Sequence, residues 1–77
     1  MKTPKEKAQS IIDQEIYYWG DKGLETTQRC AIKSGSIRAE LINIKADEIL
    51  LDYWNDVLKF IYELRDDKHT TNKERAV

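Results

Sequence analysis

The sequence predicts an all-α protein, a small three-helix bundle with a disordered C-terminal tail. Apolar residues recur at helical spacing over long segments, and helix start and stop signals stand at the borders of these segments. After Arg65 the chain is polar and has almost nothing apolar to bury. A chain of 77 residues supports one modest core, so we expect one helical domain over residues 1–66 and a flexible tail over 67–77.

The first helix is predicted over about residues 4–19 from signals at both of its ends. Thr3 can cap the first amides, Pro4 suits the first helical position, and Glu6 can complete a capping box. Gly20 offers a left-handed stop. The predicted core stripe of this helix consists of Ala8, Ile11, Ile12, Ile16 and Trp19.

Two models compete for the middle segment, residues 25–43. As a helix, it has one face of apolar and small side chains: Thr27, Cys30, Ala31, Ser34, Ile37, Leu41 and Ile42. As a hairpin, it would turn at Ser34-Gly35, and apolar and polar residues would alternate from Ile37 to Leu41. The helical face spans the whole segment and the alternation covers only half of it, so we favour the helix and keep the hairpin as the alternative.

The last helix is predicted over about residues 47–66, with Asp47 as its N-cap. Its broad apolar stripe consists of Ile49, Leu50, Tyr53, Trp54, Val57, Phe60, Ile61 and Leu64. One straight helix over residues 36–66 would rotate the stripe of its first half by roughly 140° from that of its second half. We therefore expect a break near residues 43–47.

Composition excludes several functions. Thirteen Lys and Arg nearly balance fourteen Asp and Glu, so the chain lacks the positive field that nonspecific nucleic-acid or membrane binding requires. Cys30 is the single cysteine, which rules out an intrachain disulfide and a multi-cysteine zinc site and suits a reducing compartment. No run of about 18 apolar residues occurs. We expect a cytoplasmic protein with no cofactor, no metal and no membrane contact.

Three segments of the chain carry a resemblance: TPKEKAQSIID at 3–13, QRCAI at 28–32 and DYWNDVLKFIYEL at 52–64. They resemble a set of short uncharacterised proteins of Bacteroidetes bacteria and their phages, which show a TPKEKA-like start, a KQCALIAVDEI-like centre and a YWQEVKQEIEKL-like end. The resemblance implies a short helical protein from a phage, prophage or mobile element, and it carries over no catalytic residue. Residues 33–36, KSGS, replace a more apolar stretch of the usual central helix.

Glu15 falls inside the apolar stripe of the first helix, where a carboxylate needs a partner. Arg38 similarly intrudes on the inner side of the second segment, so we expect a partly buried, structural Glu15–Arg38 ion pair. The sharper alternative is a catalytic acid. Because no second carboxylate or histidine is placed to share the work, the structural role is favoured.

The predicted interaction surface combines an acidic row on the last helix with two tyrosines: Glu48, Asp52, Asp56, Glu63, Tyr17 and Tyr62. The carboxylates share one outward face with Asp66, and Lys59 interrupts them. A solvated surface is the simplest interpretation, and a docking surface for a basic partner is the functional one. Tyr17 projects opposite the apolar stripe of its helix, and exposed tyrosines are good interface anchors.

These features favour a non-enzymatic protein-binding accessory factor, with a small nucleic-acid-binding regulator as the alternative. Arg29, Lys33 and Lys45 make only a mildly basic flank, which Glu40 interrupts. Surplus apolar residues at Ile32, Ile44 and Leu51 also predict a homodimer, in which pairing would cover them.

Overall fold

In the computed structural model, the backbone of residues 2–76 and the side chains of residues 2–65 are described. These residues form three helices, α1 (Pro4–Trp19), α2 (Leu24–Asn43) and α3 (Glu48–Ala76), and no strand. The all-α prediction is confirmed, and the hairpin alternative for the middle segment is wrong. The predicted flexible tail lies beyond the residues whose side chains are described and stays a prediction.

The start of α1 is a complete capping box. The backbone N–H of Glu6 donates to Thr3 Oγ1 at 3.2 Å, and Glu6 Oε1 accepts from the backbone N–H of Thr3 at 2.9 Å. Pro4 takes the first position of the helix. The hydrogen bonds from the backbone and side chain of Thr3 hold the pKa of Glu6 below its usual value. The start signal therefore works as predicted.

The turn between α1 and α2 depends on two glycines and two threonines. Gly20 (φ 75°) and Gly23 (φ 66°) have positive φ angles. Glycine adopts such angles readily because it has no Cβ atom to clash with the backbone. Thr26 Oγ1 accepts from the backbone N–H of Lys22 at 2.8 Å, and Thr27 Oγ1 donates to the carbonyl of Gly23 at 3.4 Å. The threonines, which are mediocre helix formers, thus contribute hydrogen bonds that hold the turn.

Helix α2 continues without interruption through Ser34, Gly35 and Ser36. Its buried face is made of small side chains: Thr26, Thr27, Cys30 and Ser34. Small side chains let the neighbouring helices approach closely, so tertiary packing offsets the weak helix propensity of this stretch.

A tight corner connects α2 to α3. Lys45 takes a left-handed conformation (φ 55°), and the backbone N–H of Ala46 donates to the carbonyl of Leu41 at 2.9 Å. Asp47 Oδ1 accepts from the backbone N–H of Ile49 at 3.1 Å, as expected for an N-cap. The predicted break between the second and third helices is confirmed.

Contacts at both ends show that α3 runs parallel to α1. Near the helix starts, Tyr53 Oη donates to the carbonyl of Lys2 at 2.8 Å, and past the end of α1 Arg65 reaches Asp21. Helix α2 runs antiparallel to both. The buried core between the helices consists of Ala8, Ile11, Ile12, Cys30, Val57 and Ile61. Ile16, Tyr53, Trp54, Phe60 and Leu64 pack against it.

Three residues of the predicted apolar faces are exposed: Trp19 by 55%, Ile42 by 49% and Ile49 by 78%. Trp19 is the last residue of α1, Ile42 lies in the last turn of α2, and Ile49 lies in the first turn of α3. Helical angle predicts the direction of a side chain but not whether the neighbouring helices extend far enough to cover it. All three predictions fail at helix ends, because the neighbouring helices do not extend far enough to cover these side chains.

Candidate protein-binding surface

Glu15 is buried and pairs with Lys33, whose Nζ lies 3.6 Å from Glu15 Oε2. The predicted pairing of Glu15 with Arg38 is wrong. In an antiparallel pair the turn sets the register, and Arg38 lies five residues, about 7.5 Å, farther from the turn than Lys33. Arg38 Nε is buried and has no hydrogen-bond partner among the described residues. The structural role of Glu15 in packing thus involves a different cation.

A second buried charge, Arg65, closes the bundle at the turn between α1 and α2. Its side chain is 4% exposed, and Nη1 and Nη2 donate to Asp21 Oδ2 at 3.2 Å and Oδ1 at 2.6 Å. Nε donates to Thr27 Oγ1 at 3.1 Å, and Nη2 also donates to the carbonyl of Gly23 at 3.2 Å. The planar guanidinium thereby fastens α3 to both the turn and α2.

Sequence reasoning missed this role of Arg65. The available signal was its position four residues after Ile61, which extends the apolar stripe of α3 by one turn. A cation at such a position needs an anionic partner, and the packing of α3 against the turn decides that this partner is Asp21.

Cys30 is fully buried, and its Sγ lies 4.0 Å from the carbonyl oxygen of Ile11. Burial raises the pKa of the Cys30 thiol above its ordinary value, and the negative charge of Glu15 raises it further. The thiolate is the nucleophilic form of cysteine. A buried thiol that stays protonated packs in the core, as the sequence predicted, and is unsuited to nucleophilic chemistry.

The residues of the predicted interaction surface are all exposed, but they lie on two helices. The outer face of α3 presents Glu48, Asp52, Asp56 and Glu63, which we call the acidic ridge. Tyr62 lies beside Glu63 at the edge of the ridge, whereas Tyr17 belongs to the last turn of α1. Within the described residues, no carboxylate of the ridge forms an ion pair.

The last turn of α1 carries three consecutive exposed aromatic residues, which we call the aromatic end: Tyr17, Tyr18 and Trp19. Tyr17 is 82% exposed and Tyr18 is 64% exposed, and their rings pack edge to face with centroids 5.2 Å apart. The Arg29 guanidinium lies 5.0 Å from the centre of the Trp19 ring and also pairs with Glu25 at 3.7 Å. Sequence reasoning found only Tyr17, because Tyr18 and Trp19 have angles close to the core stripe.

Exposed isoleucines gather at the corner between α2 and α3, and we call this group the isoleucine corner: Ile42, Ile44 and Ile49. Ile44 is 72% exposed and stands immediately after α2, while Ile49 lies in the first turn of α3. These side chains leave a second apolar area at the opposite end of the bundle from the aromatic end.

The concave features of the surface are shallow. A cleft of about 350 Å³ between the start of α1 and α3 is lined by Lys2, Lys7, Tyr53 and Trp54. Lys7 Nζ lies 5.9 Å from the centre of the Trp54 ring and occupies part of this cleft. Among residues 2–65, no three His, Cys, Asp or Glu side chains converge as metal ligands would. The exposed faces are therefore the candidate functional features.

Comparison with known proteins adds no relative. No family model matches the chain, and neither the curated proteins nor the solved structures contain a detectable match. The fold and the surface thus define a three-helix protein with exposed aromatic, isoleucine and acidic areas. No helix in the described part of the chain has the length and apolar character needed to cross a membrane.

Proposed function

We propose that this protein is a non-enzymatic, cytoplasmic accessory factor that binds another protein, and that a phage or mobile element encodes it. The resemblance of three segments to short proteins of Bacteroidetes and their phages supports the proposed origin. The single cysteine, which can form no intrachain disulfide, is consistent with the reducing compartment that we propose.

The aromatic end is the observation that carries the binding function. Tyrosine, tryptophan and arginine are the residue types enriched at interface hot spots, and Arg29 lies against Trp19 here. Aromatic side chains bury roughly 150–250 Å² each, so three adjacent ones supply a large share of a standard interface of about 800 Å² per partner. Their exposure in a chain this small favours a surface that a partner covers.

The charges of α2 weigh against the nucleic-acid alternative. Arg29 pairs with Glu25, and Lys33 pairs with Glu15, so two cations of the mildly basic flank are already neutralised. A recognition helix needs free Arg, Lys, Asn or Gln on one exposed face. Catalysis is disfavoured because Cys30 is fully buried, away from any substrate, and its burial raises the pKa of the thiol.

The test compares baits that differ only at exposed residues. Purified protein coupled to beads captures partners from a bacterial host lysate, and the Tyr17→Ser/Tyr18→Ser variant is run beside it. We expect the variant to retain less than about one tenth of the captured partner, since a hot-spot residue contributes 2 kcal/mol or more. Gln9→Ser, at an exposed position near the start of α1 and outside both named apolar areas, is the matched control and should retain it.

Equal capture by wild type and the tyrosine variant would refute the role of the aromatic end.

A gel-shift assay with mixed DNA and RNA at low salt tests the alternative function, nucleic-acid binding. Salt-sensitive shifts by the wild type would favour the nucleic-acid-binding regulator.

We also propose that the protein forms a homodimer. Ile32 and Ile44 are exposed and Leu51 is half-buried, which leaves apolar area that pairing would cover. Light scattering at tens of micromolar should report twice the 9.1 kDa chain mass. Ile32→Asp should shift the protein toward monomer, because a buried unpaired carboxylate opposes association. A wild type that remains monomeric under these conditions would disprove the dimer.

A further inference from the structure

We propose that the isoleucine corner and the first turns of the acidic ridge form one docking surface for a basic amphipathic helical segment of a partner protein. This inference rests on the proposed protein-binding function and names a second surface with its own partner chemistry.

The two areas are continuous along α3. Ile49 precedes Asp52 by three residues and Asp56 by seven, and both spacings bring side chains to the same side of a helix. Ile42 and Ile44 flank the corner that leads into α3, where the backbone N–H of Lys45 donates to the carbonyl of Ile42 at 3.0 Å. The surface therefore has the isoleucine corner at one end, and the carboxylates of the acidic ridge extend from it along α3.

The carboxylates of this surface repel one another. Glu48, Asp52 and Asp56 follow at intervals of four residues, and like charges at this spacing destabilise a helix. Lys45 and Lys59 are the cations beside them, and neither lies within 4.0 Å of a ridge carboxylate in the described part of the chain. A basic partner would relieve this repulsion while covering the isoleucines.

The arrangement favours a helical segment over other occupants. The carboxylates of Glu48 to Asp56 extend along the helix for about 12 Å, which matches two to three turns of a helix lying alongside. A second copy docked ridge against ridge would oppose carboxylates with carboxylates, so the proposed homodimer covers at most Ile44 of this surface. A cation is disfavoured because these exposed side chains do not converge on one point.

The probe is a fluorescein-labelled synthetic peptide whose leucines form one face of a helix and whose lysines form the other. Its fluorescence anisotropy is followed as the full chain is added at physiological salt. We expect micromolar binding by the wild type. Asp52→Asn/Asp56→Asn and, separately, Ile44→Ser/Ile49→Ser should each weaken it at least about tenfold. Circular dichroism checks that each variant remains helical.

Two matched controls separate docking from general electrostatics. Asp13→Asn/Glu40→Asn removes the same charge from exposed sites on α1 and α2, and Leu24→Ser removes an exposed apolar side chain at the other end. Both should bind within about twofold of the wild type. Equal weakening by the controls and the surface variants, or no binding by the wild type at about 0.1 mM peptide, would overturn the proposal. Lysate capture through the aromatic end would survive either result, so the two proposals fail separately.

Discussion

Asp21→Ala is expected to lower the free energy of unfolding by about 3 kcal/mol, a large part of the stability of a domain of this size. The substitution leaves the Arg65 guanidinium, whose side chain is 4% exposed, without its counterion. Removing one partner of a buried pair costs about 3–5 kcal/mol, and the partial exposure of Asp21 places the effect at the lower end. Urea unfolding followed by circular dichroism measures the loss.

The charge itself is tested by adding Arg65→Met to Asp21→Ala. Methionine keeps much of the buried volume without a charge, so we expect the double variant to recover about 1 kcal/mol or more of the lost stability. A cost below about 1 kcal/mol for Asp21→Ala alone would show that the pair behaves as an ordinary surface salt bridge.

Ile61→Ala is expected to cost about 3 kcal/mol, because Ile61 is the largest fully buried side chain among the described residues. The loss combines the transfer free energy of the deleted carbons with the cavity that the three helices leave unfilled. Thermal and urea unfolding give the change in stability. Lys59→Ala, at an exposed position of the same helix, is the control and should change the stability by less than about 0.5 kcal/mol.

A graded series sharpens this second experiment. Ile61→Val should cost about 1 kcal/mol, between the wild type and alanine. If alanine costs no more than valine, the surrounding helices collapse into the vacated space and the core is looser than the packing of Val57 and Cys30 indicates.

Signals that act within a few residues made most of the fold predictable. The capping box at Thr3 and Glu6 fixes the start of α1, and the N-cap at Asp47 fixes the break before α3. Both depend on side chains that bond to backbone groups two or three positions away. The same local reasoning placed the acidic ridge outside, because helical angle determines the exposed face of a long helix.

Features that depend on register between helices were not predictable in this way. The sequence showed that Glu15 needs a partner. Whether that partner is Lys33 or Arg38 depends on the axial register of α2 against α1, which the turn between them sets. Arg65 and Asp21 are separated by 44 positions, and no local pattern links them. The exposure of Trp19 likewise depends on where the neighbouring helices end.

The distance along the chain between Arg65 and Asp21 also has a kinetic consequence. A contact that closes so long a loop carries an entropic cost that must be met before the bond forms, so we expect it to form after the folding transition state. Interactions absent from the transition state slow unfolding and leave the folding rate nearly unchanged. We therefore expect this guanidinium–carboxylate contact to set the lifetime of the native molecule more than the speed at which it assembles.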